Sequence, residues 1–300
     1  MESGLSRLSF VMLALLGSLS CATRVDTPTE PRPIPQNLDI QGHRGARGLL
    51  PENSIAAFKK ALALQVTTLE LDIQTTKDGV LAVYHDQHLD SKRCIYDDGR
   101  KVPKKLLEEL LYGDLASIDC GRLRHPRFPE QQRVPGTRIP RLEQVLILAR
   151  DAHYPVHLSI EIKWQNRKDG MSVQDVAARL VTLIKQYGLK ERTIVQSFSP
   201  PALLAVHDLD PDIPTAILVR NRQRYDRIVA ESRATILSPR HDRLRSQDVK
   251  RFQARNIRVI PWTANESAEI CRLIRWGVDG IISDYPNRVI DLHNDKSCGN

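Results

Sequence analysis

This sequence predicts an α/β fold, a single (β/α)8 TIM barrel, and three observations lead there. Short runs with period-two alternation and β-branched residues recur eight times: Leu38–Gln41, Thr68–Ile73, Val156–Ile162, Thr193–Ser197, Thr215–Val219, Thr235–Leu237, Arg258–Trp262 and Gly280–Ser283. Amphipathic runs of helical spacing lie between most of them: Ile55–Leu64, Leu142–Ala149, Val173–Tyr187, Pro201–Leu209, Tyr225–Arg233, Ser246–Arg255 and Ser267–Trp276. Finally, the side chains best suited to chemistry follow strand-like runs, which in a parallel barrel places them on one shared rim. A chain of 300 residues fits one large barrel or two ordinary domains, and the unbroken strand–helix alternation selects the barrel.

Taken in order, the first apolar run, Leu8 to Leu19, is too short to span a bilayer, which needs about 20 residues, and has the length of a signal-peptide core. Residues 1–21 are therefore expected to be a signal peptide. Ser18, Leu19 and Ser20 before Cys21 fit a lipoprotein signal with Cys21 acylated and the protein associated with a membrane surface; cleavage after Ser20 or Ala22 is the alternative. Residues 22–37, with Pro28, Pro31, Pro33 and Pro35, read as a stiff polar tether. The expected location is outside the cytoplasm, in the periplasm or on the outer surface, free or lipid-anchored.

The barrel is expected over residues 38–300. Val80–Tyr84 is a ninth strand-like run, separated from the second strand only by Gln74 to Gly79. A parallel crossover needs a dozen or more residues, so this run must return antiparallel, turning at Asp78-Gly79. Such an arm delivers His85 beside Asp72. Residues 87–138 form a small insertion, rich in Arg and Lys, with one helix candidate at Lys104–Tyr112. Export permits disulfides among Cys94, Cys120, Cys271 and Cys298, in three possible connectivities, of which Cys94–Cys120 with Cys271–Cys298 is the local one; free buried thiols are the other possibility.

Net charge is +8, which favours anionic partners such as phosphate esters or acidic lipids. Aromatics make up only 5% and no nucleic-acid motif is present, so no nucleic-acid partner is expected. Glu70 and Asp72 lie two apart and share a face, and Glu161 ends the next barrel strand. Three carboxylates there form an oxygen-rich site for a divalent cation, Mg2+ or Ca2+. The competing reading is a salt-bridged rim neutralised by Arg44 and Lys163. His43 and His85 have a side chain suited to proton transfer near neutral pH, while Arg44 and Lys163 suit phosphate oxygens.

The ordered set His43-Arg44-Gly45, Pro51-Glu52-Asn53, Glu70-Leu71-Asp72, Thr76-Lys77-Asp78-Gly79, His85-Asp86, Glu161-Ile162-Lys163, Trp262-Thr263-Ala264-Asn265 and Asp279 through Pro286 resembles the glycerophosphodiester phosphodiesterase family. The resemblance runs from about Ile40 to Pro286, nearly the whole chain after the tether. It implies a metal-dependent enzyme that hydrolyses small glycerophosphodiesters to glycerol 3-phosphate and an alcohol. It also implies a substrate-assisted route through a cyclic phosphate, and a cap formed by the insertion. A glycerol pocket then draws on Glu52, Asn53 and Gln196, with Phe198 and Trp262 as walls. Two rivals are a phospholipase D-like enzyme acting on lysophospholipids and a non-catalytic phosphate- or lipid-binding module on the same barrel.

Overall fold

The structure, a computed structural model, describes Met1 and residues 37–165 and 170–299. Contacts divide the chain into Met1–Pro31 and Arg32–Asn300, and only the second unit is described below. The expected signal peptide beyond Met1, Cys21 and the tether as far as Gln36 lie outside the described residues.

Strand β1 (Asp39–Gly42) leads into helix α1 (Ile55–Ala63). Ser54 caps that helix, its Oγ accepting the Ala57 N–H at 3.1 Å. β2 (Thr68–Thr75) then turns into the arm β3 (Leu81–Val83), which pairs antiparallel with it, Ile73 opposite Val83. Gly79, with φ +79°, occupies the left-handed position of that turn and donates its N–H to Thr76 O at 2.9 Å. The insertion carries β4 (Ile95–Tyr96) and β5 (Ile118–Asp119), paired antiparallel.

After α2 (Leu142–Arg150) the alternation is regular: β6 (His157–Ile162), α3 (Val173–Gln186), β7 (Thr193–Ser197), α4 (Pro200–Leu209), β8 (Thr215–Val219), α5 (Tyr225–Ser232), β9 (Ile236–Pro239), α6 (Ser246–Gln253), β10 (Arg258–Val259), α7 (Ser267–Trp276), β11 (Gly280–Ser283) and α8 (Pro286–Asn294). The strands pair in parallel in the order β10-β9-β8-β7-β6-β2-β1-β11. Asp279 N–H to Val259 O (2.9 Å) and Ile282 N–H to Pro261 O (3.0 Å) tie the two ends together, giving a nearly closed barrel of eight parallel strands.

The pleat sorts side chains into two sets. Leu69, Leu71 and Ile73 of β2 and Leu158, Ile160 and Ile162 of β6 are buried beneath the helices in the main core. Residues on the opposite phase, Thr68, Glu70 and Asp72 with Ser159 and Glu161, are turned away from it. A smaller apolar layer of Ile194, Ala216, Ile236, Ile260 and Ile282 lies on that same phase of the later strands. The register sets Asp72 opposite Glu161 and Glu161 opposite Gln196, so the polar groups collect at one level.

The insertion is ordered: Leu89, Val102, Leu107, Leu115 and Ile118 pack with Tyr84 into a second apolar cluster, crosslinked by Cys94–Cys120. Lys104–Tyr112 is not a helix but holds the short 3-10 turn Leu107–Glu109, with another at Tyr112–Leu115. The backbone there is committed elsewhere, Leu107 N–H to Gln87 O, Leu89 N–H to Lys105 O and Lys77 N–H to Leu110 O, so i to i−4 bonds cannot form. Helix α8 also goes beyond the sequence expectation. The Cys271–Cys298 disulfide joins α7 to the segment after α8.

Candidate active site

The rim begins where β1 ends. Arg44 adopts φ 51° and Gly45 φ 86°. A Cβ at Gly45 would lie 2.7 Å from the Ala57 carbonyl carbon, so glycine alone lets this turn sit against α1. The turn aims the Arg44 backbone N–H at Glu70 Oε2, 2.7 Å away. A left-handed arginine is costly, and its position at the rim is where such strain is usually held.

Glu70, Asp72 and Glu161 converge, each offering an oxygen within 4.8 Å of the others, and all three are buried. Glu70 also accepts from Gln196 Nε2 at 2.7 Å. Asp72 accepts from Asn53 Nδ2 at 2.8 Å and lies 3.2 Å from both Arg44 Nε and Lys163 Nζ. Lys163 is also 2.7 Å from Glu161. The two cations that could neutralise the rim are thus present, but Lys163 is shared between Glu161 and Asp72, and Arg44 between Glu52 and Asp72. Burial, with the charges of Asp72 and Glu161, drives Glu70 well above the usual carboxylate range. Burial and Asp72 push Glu161 up to about 7 against the pull of Lys163. Burial acts the same way on Asp72, but Lys163 and Arg44 outweigh it and hold that group well below its ordinary value.

Three acids therefore share too little positive charge. Among the described residues Asp72 Oδ1 receives no hydrogen bond, and the Lys163 ammonium stands 3.2 Å from it. An all-oxygen, anionic, buried donor set with an oxygen left over is what a hard divalent cation fits.

Both histidines are oriented by carboxylates. His43 Nδ1 is 2.6 Å from Asp284 Oδ1, and its Nε2 is 3.9 Å from Glu70 Oε2. Asp284, at the end of β11, is held by Arg47 Nε at 3.0 Å and Asn265 Nδ2 at 2.8 Å. An ionised carboxylate only accepts, so Nδ1 of His43 carries hydrogen and Nε2 the lone pair. Burial lowers His43 to about 4 in spite of Asp284, and burial likewise lowers His85. His85 Nδ1 bonds Asp86, which pairs with Arg93, which also pairs with Glu52. The arm places His85 as expected: Tyr84 N–H donates to Asp72 O at 3.1 Å.

His43, Arg44, Glu70, Glu161, Lys163 and Gln196 border one cavity of about 300 Å³, which His85 and Trp262 also line. Trp262 donates Nε1–H to Ser238 O at 2.8 Å and meets Phe198 edge-on, with ring centroids 5.6 Å apart. A second cavity of about 450 Å³ adjoins it, sharing His85, Glu161, Lys163 and Phe198. Glu52 and Asn53, expected to touch substrate, instead border a separate cavity behind the rim. Glu52 is spent on Arg44 (2.8 Å) and Arg93, and Asn53 brackets Asp72 with both ends of its amide. The sequence reading assigned no role to Asp284, Asn265, Arg47, Arg93 or Arg220. Asp284 and Asn265 stand inside quoted motifs, and the need of a catalytic imidazole for an acceptor on its far nitrogen is the signal that points to them.

With this geometry in view, the chain can be set beside known proteins. The family model for the "Glycerophosphoryl diester phosphodiesterase family" matches residues 43–288. A glycerophosphodiester phosphodiesterase of Bacillus subtilis (strain 168) is 29% identical over 262 residues, covering 84% of this chain and 85% of that protein. One from Caldanaerobacter subterraneus is 30% identical over 255 residues, covering 84% and 96%. A Silicibacter pomeroyi structure assigned to the same activity superimposes with TM-score 0.82 at 29% identity, covering 88% of this chain and 95% of the other. An Oleispira antarctica phosphodiesterase in complex with its product sn-glycerol-3-phosphate shares the fold at TM-score 0.72 and 22% identity, covering 85% and 96%.

Proposed function

The chain belongs to the glycerophosphodiester phosphodiesterase family and is an enzyme of that class; from this premise we propose how its own residues divide the reaction. The observation that carries the proposal is the meeting of two carboxylate-oriented imidazoles with a cluster of three buried acids, of which Glu70 and Glu161 line the same cavity as both histidines.

Glu70, Asp72 and Glu161 are the residues that would hold a divalent cation, Mg2+ or Ca2+, which when bound polarises a phosphoryl oxygen and offsets the charge of the transition state. Lys163 and Arg44, fixed against the same acids, supply the remaining donors to the phosphate. The glycerol hydroxyl next to the phosphodiester attacks phosphorus. One imidazole Nε2 takes its proton, and the other gives a proton to the departing alkoxide as its P–O bond breaks. Water then opens the resulting cyclic phosphate by the same exchange of roles in reverse, leaving glycerol 3-phosphate. The product bound in the Oleispira antarctica relative agrees with this outcome.

Gln196 orients Glu70, while Glu52 and Asn53 act from behind the rim, Glu52 on Arg44 and Asn53 on Asp72. Trp262 and Phe198 wall the cavity. Export of the chain is part of the proposal. The pairs Cys94–Cys120 and Cys271–Cys298 support an oxidising compartment, and a signal peptide ending near an acylated Cys21 would reach it.

The test is product identity: sn-glycero-3-phosphoglycerol or sn-glycero-3-phosphocholine incubated with the purified protein should give glycerol 3-phosphate and free alcohol in equal amounts. Release of phosphocholine with glycerol would mean that the wrong P–O bond breaks and would overturn the assignment of roles.

A further inference from the structure

The rim holds more positive charge than a single phosphodiester requires. Five cationic side chains line the main cavity, Arg44, Arg47, Arg127, Lys163 and Arg220, against the carboxylates Glu70 and Glu161. Three of the five are committed: Arg44 and Lys163 to the metal-site acids, and Arg47 to Asp284. Arg127, from the insertion, and Arg220, just after β8, are exposed, and among the described residues neither pairs with a carboxylate.

Their contacts are aromatic instead. The Arg220 guanidinium lies 3.9 Å from the Phe198 ring centroid and 5.8 Å from that of Trp262, and Arg127 lies 5.9 Å from that of Phe128. A guanidinium stacked on a ring is held in place while its N–H edge stays open to an anion. Lys163 Nζ lies 6.0 Å from the same Phe198 centroid, so a diester phosphate at Lys163 has Arg220 within reach of its substituent. Arg220 also borders the adjoining cavity, so it stands where the two spaces meet.

We propose that Arg220, assisted by Arg127, forms an anion subsite for the alcohol half of the diester, and that the preferred substrates carry a further acidic group, phosphate or carboxylate, on that alcohol. The inference rests on the function proposed above. The glycerol half is neutral in every substrate of this reaction, so a charged wall discriminates only through the alcohol half. A quaternary ammonium alcohol is disfavoured twice. The Phe198 face that would receive it is already covered by a guanidinium, and like charges would meet there. An acidic alcohol instead meets a donor fork of the kind that binds phosphate and carboxylate in two-point fashion.

The experiment compares kcat/KM for four diesters sharing the glycerophosphoryl half, with choline, glycerol, glycerate or glycerol phosphate as the alcohol. The wild-type enzyme should prefer the two acidic alcohols to choline by roughly 10- to 100-fold, the range of one charge-assisted hydrogen bond. The preference should shrink as salt is raised. The glycerate and glycerol phosphate arms separate carboxylate from phosphate recognition. Arg220→Gln should reduce the acidic-to-neutral ratio about tenfold, Arg220→Glu should reverse the order in favour of choline, and Arg127→Gln should move it less in the direction of Arg220→Gln. Turnover of all four with no charge order, or an order untouched by Arg220→Glu in a protein with the wild-type melting temperature, would overturn the subsite alone. Turnover of none would overturn the underlying function and the subsite with it.

Discussion

Asp284→Asn isolates the role of the carboxylate behind His43. The change keeps shape and removes charge, and its cost follows from who surrounds the group. Asp284 receives hydrogen bonds from His43 Nδ1 (2.6 Å), Asn265 Nδ2 (2.8 Å) and Arg47 Nη2 (3.4 Å). All three neighbours are donors, so whichever way an asparagine amide turns, its NH2 faces another donor. One charge-assisted bond is lost, worth about 1.5–3 kcal/mol, and a donor–donor contact adds about 1 kcal/mol. If the NH2 faces His43, relief comes by moving the ring proton to Nε2, which removes the lone pair that the reaction uses. A fall in kcat of about 10²–10³-fold is expected, from some 3–4 kcal/mol of lost orientation. The acid limb of the kcat/KM profile should also move to lower pH, because Asp284 raises the His43 pKa. The assay is glycerol 3-phosphate release at saturating metal, with His43→Ala and the double variant beside it. Acting through His43, Asp284→Asn should add almost nothing to His43→Ala. Wild-type turnover in folded Asp284→Asn, or full multiplication of the two effects, would mean that Asp284 does not act through His43.

Three further outcomes are expected. His85→Ala should lower kcat by about 10²–10⁴-fold with an unchanged melting curve, measured by calorimetry beside the same product assay. Removing Cys94–Cys120, which closes a loop of sequence separation 26, should cost about 3.5 kcal/mol in the chain-entropy account and lower the melting temperature by roughly 10 °C in a scan. His125, buried with Nε2 3.9 Å from Glu52, is pushed by burial down to about 4. The unfolded chain then binds more protons between its ordinary 6.5 and 4, so stability should fall as pH drops through that window, by up to about 1.4 kcal/mol per unit. Denaturant titrations of His125→Gln should show a flatter dependence there.

The parts of this fold that sequence reveals are those with a period. Thr68 to Ile73 alternates because one phase packs under helices and the other holds Glu70 and Asp72, so strand and site are read from the same residues. The returning arm was legible because Gln74 to Gly79 is too short for any crossover. The insertion was not, since two-residue strands and 3-10 turns carry no periodicity. Its order comes from a disulfide and from apolar contacts between Tyr84, Leu89, Leu107 and Ile118. Helix α8 was missed because its polar run buries only Pro286 and Val289. Asp284 and His43 are 241 residues apart and meet only because β1 pairs with β11, which no local pattern announces. That Glu52 and Asn53 stand behind the acids, their side chains turned to Arg44, Arg93 and Asp72, was not legible, because a motif gives adjacency and not direction.

The chemistry proposed for the two imidazoles depends on a divalent cation held by Glu70, Asp72 and Glu161. Its most direct test is a metal titration, with calorimetric binding of Mg2+ and Ca2+ to chelator-treated protein run alongside glycerol 3-phosphate release. The wild type should bind one equivalent, lose activity in excess EDTA and regain it on readdition. Glu161→Gln, which keeps the shape and removes one charge, should bind the ion more weakly and need more of it for a lower turnover. Full activity in excess EDTA, with no heat of binding, would contradict the account and leave the three acids as a rim neutralised by Arg44 and Lys163.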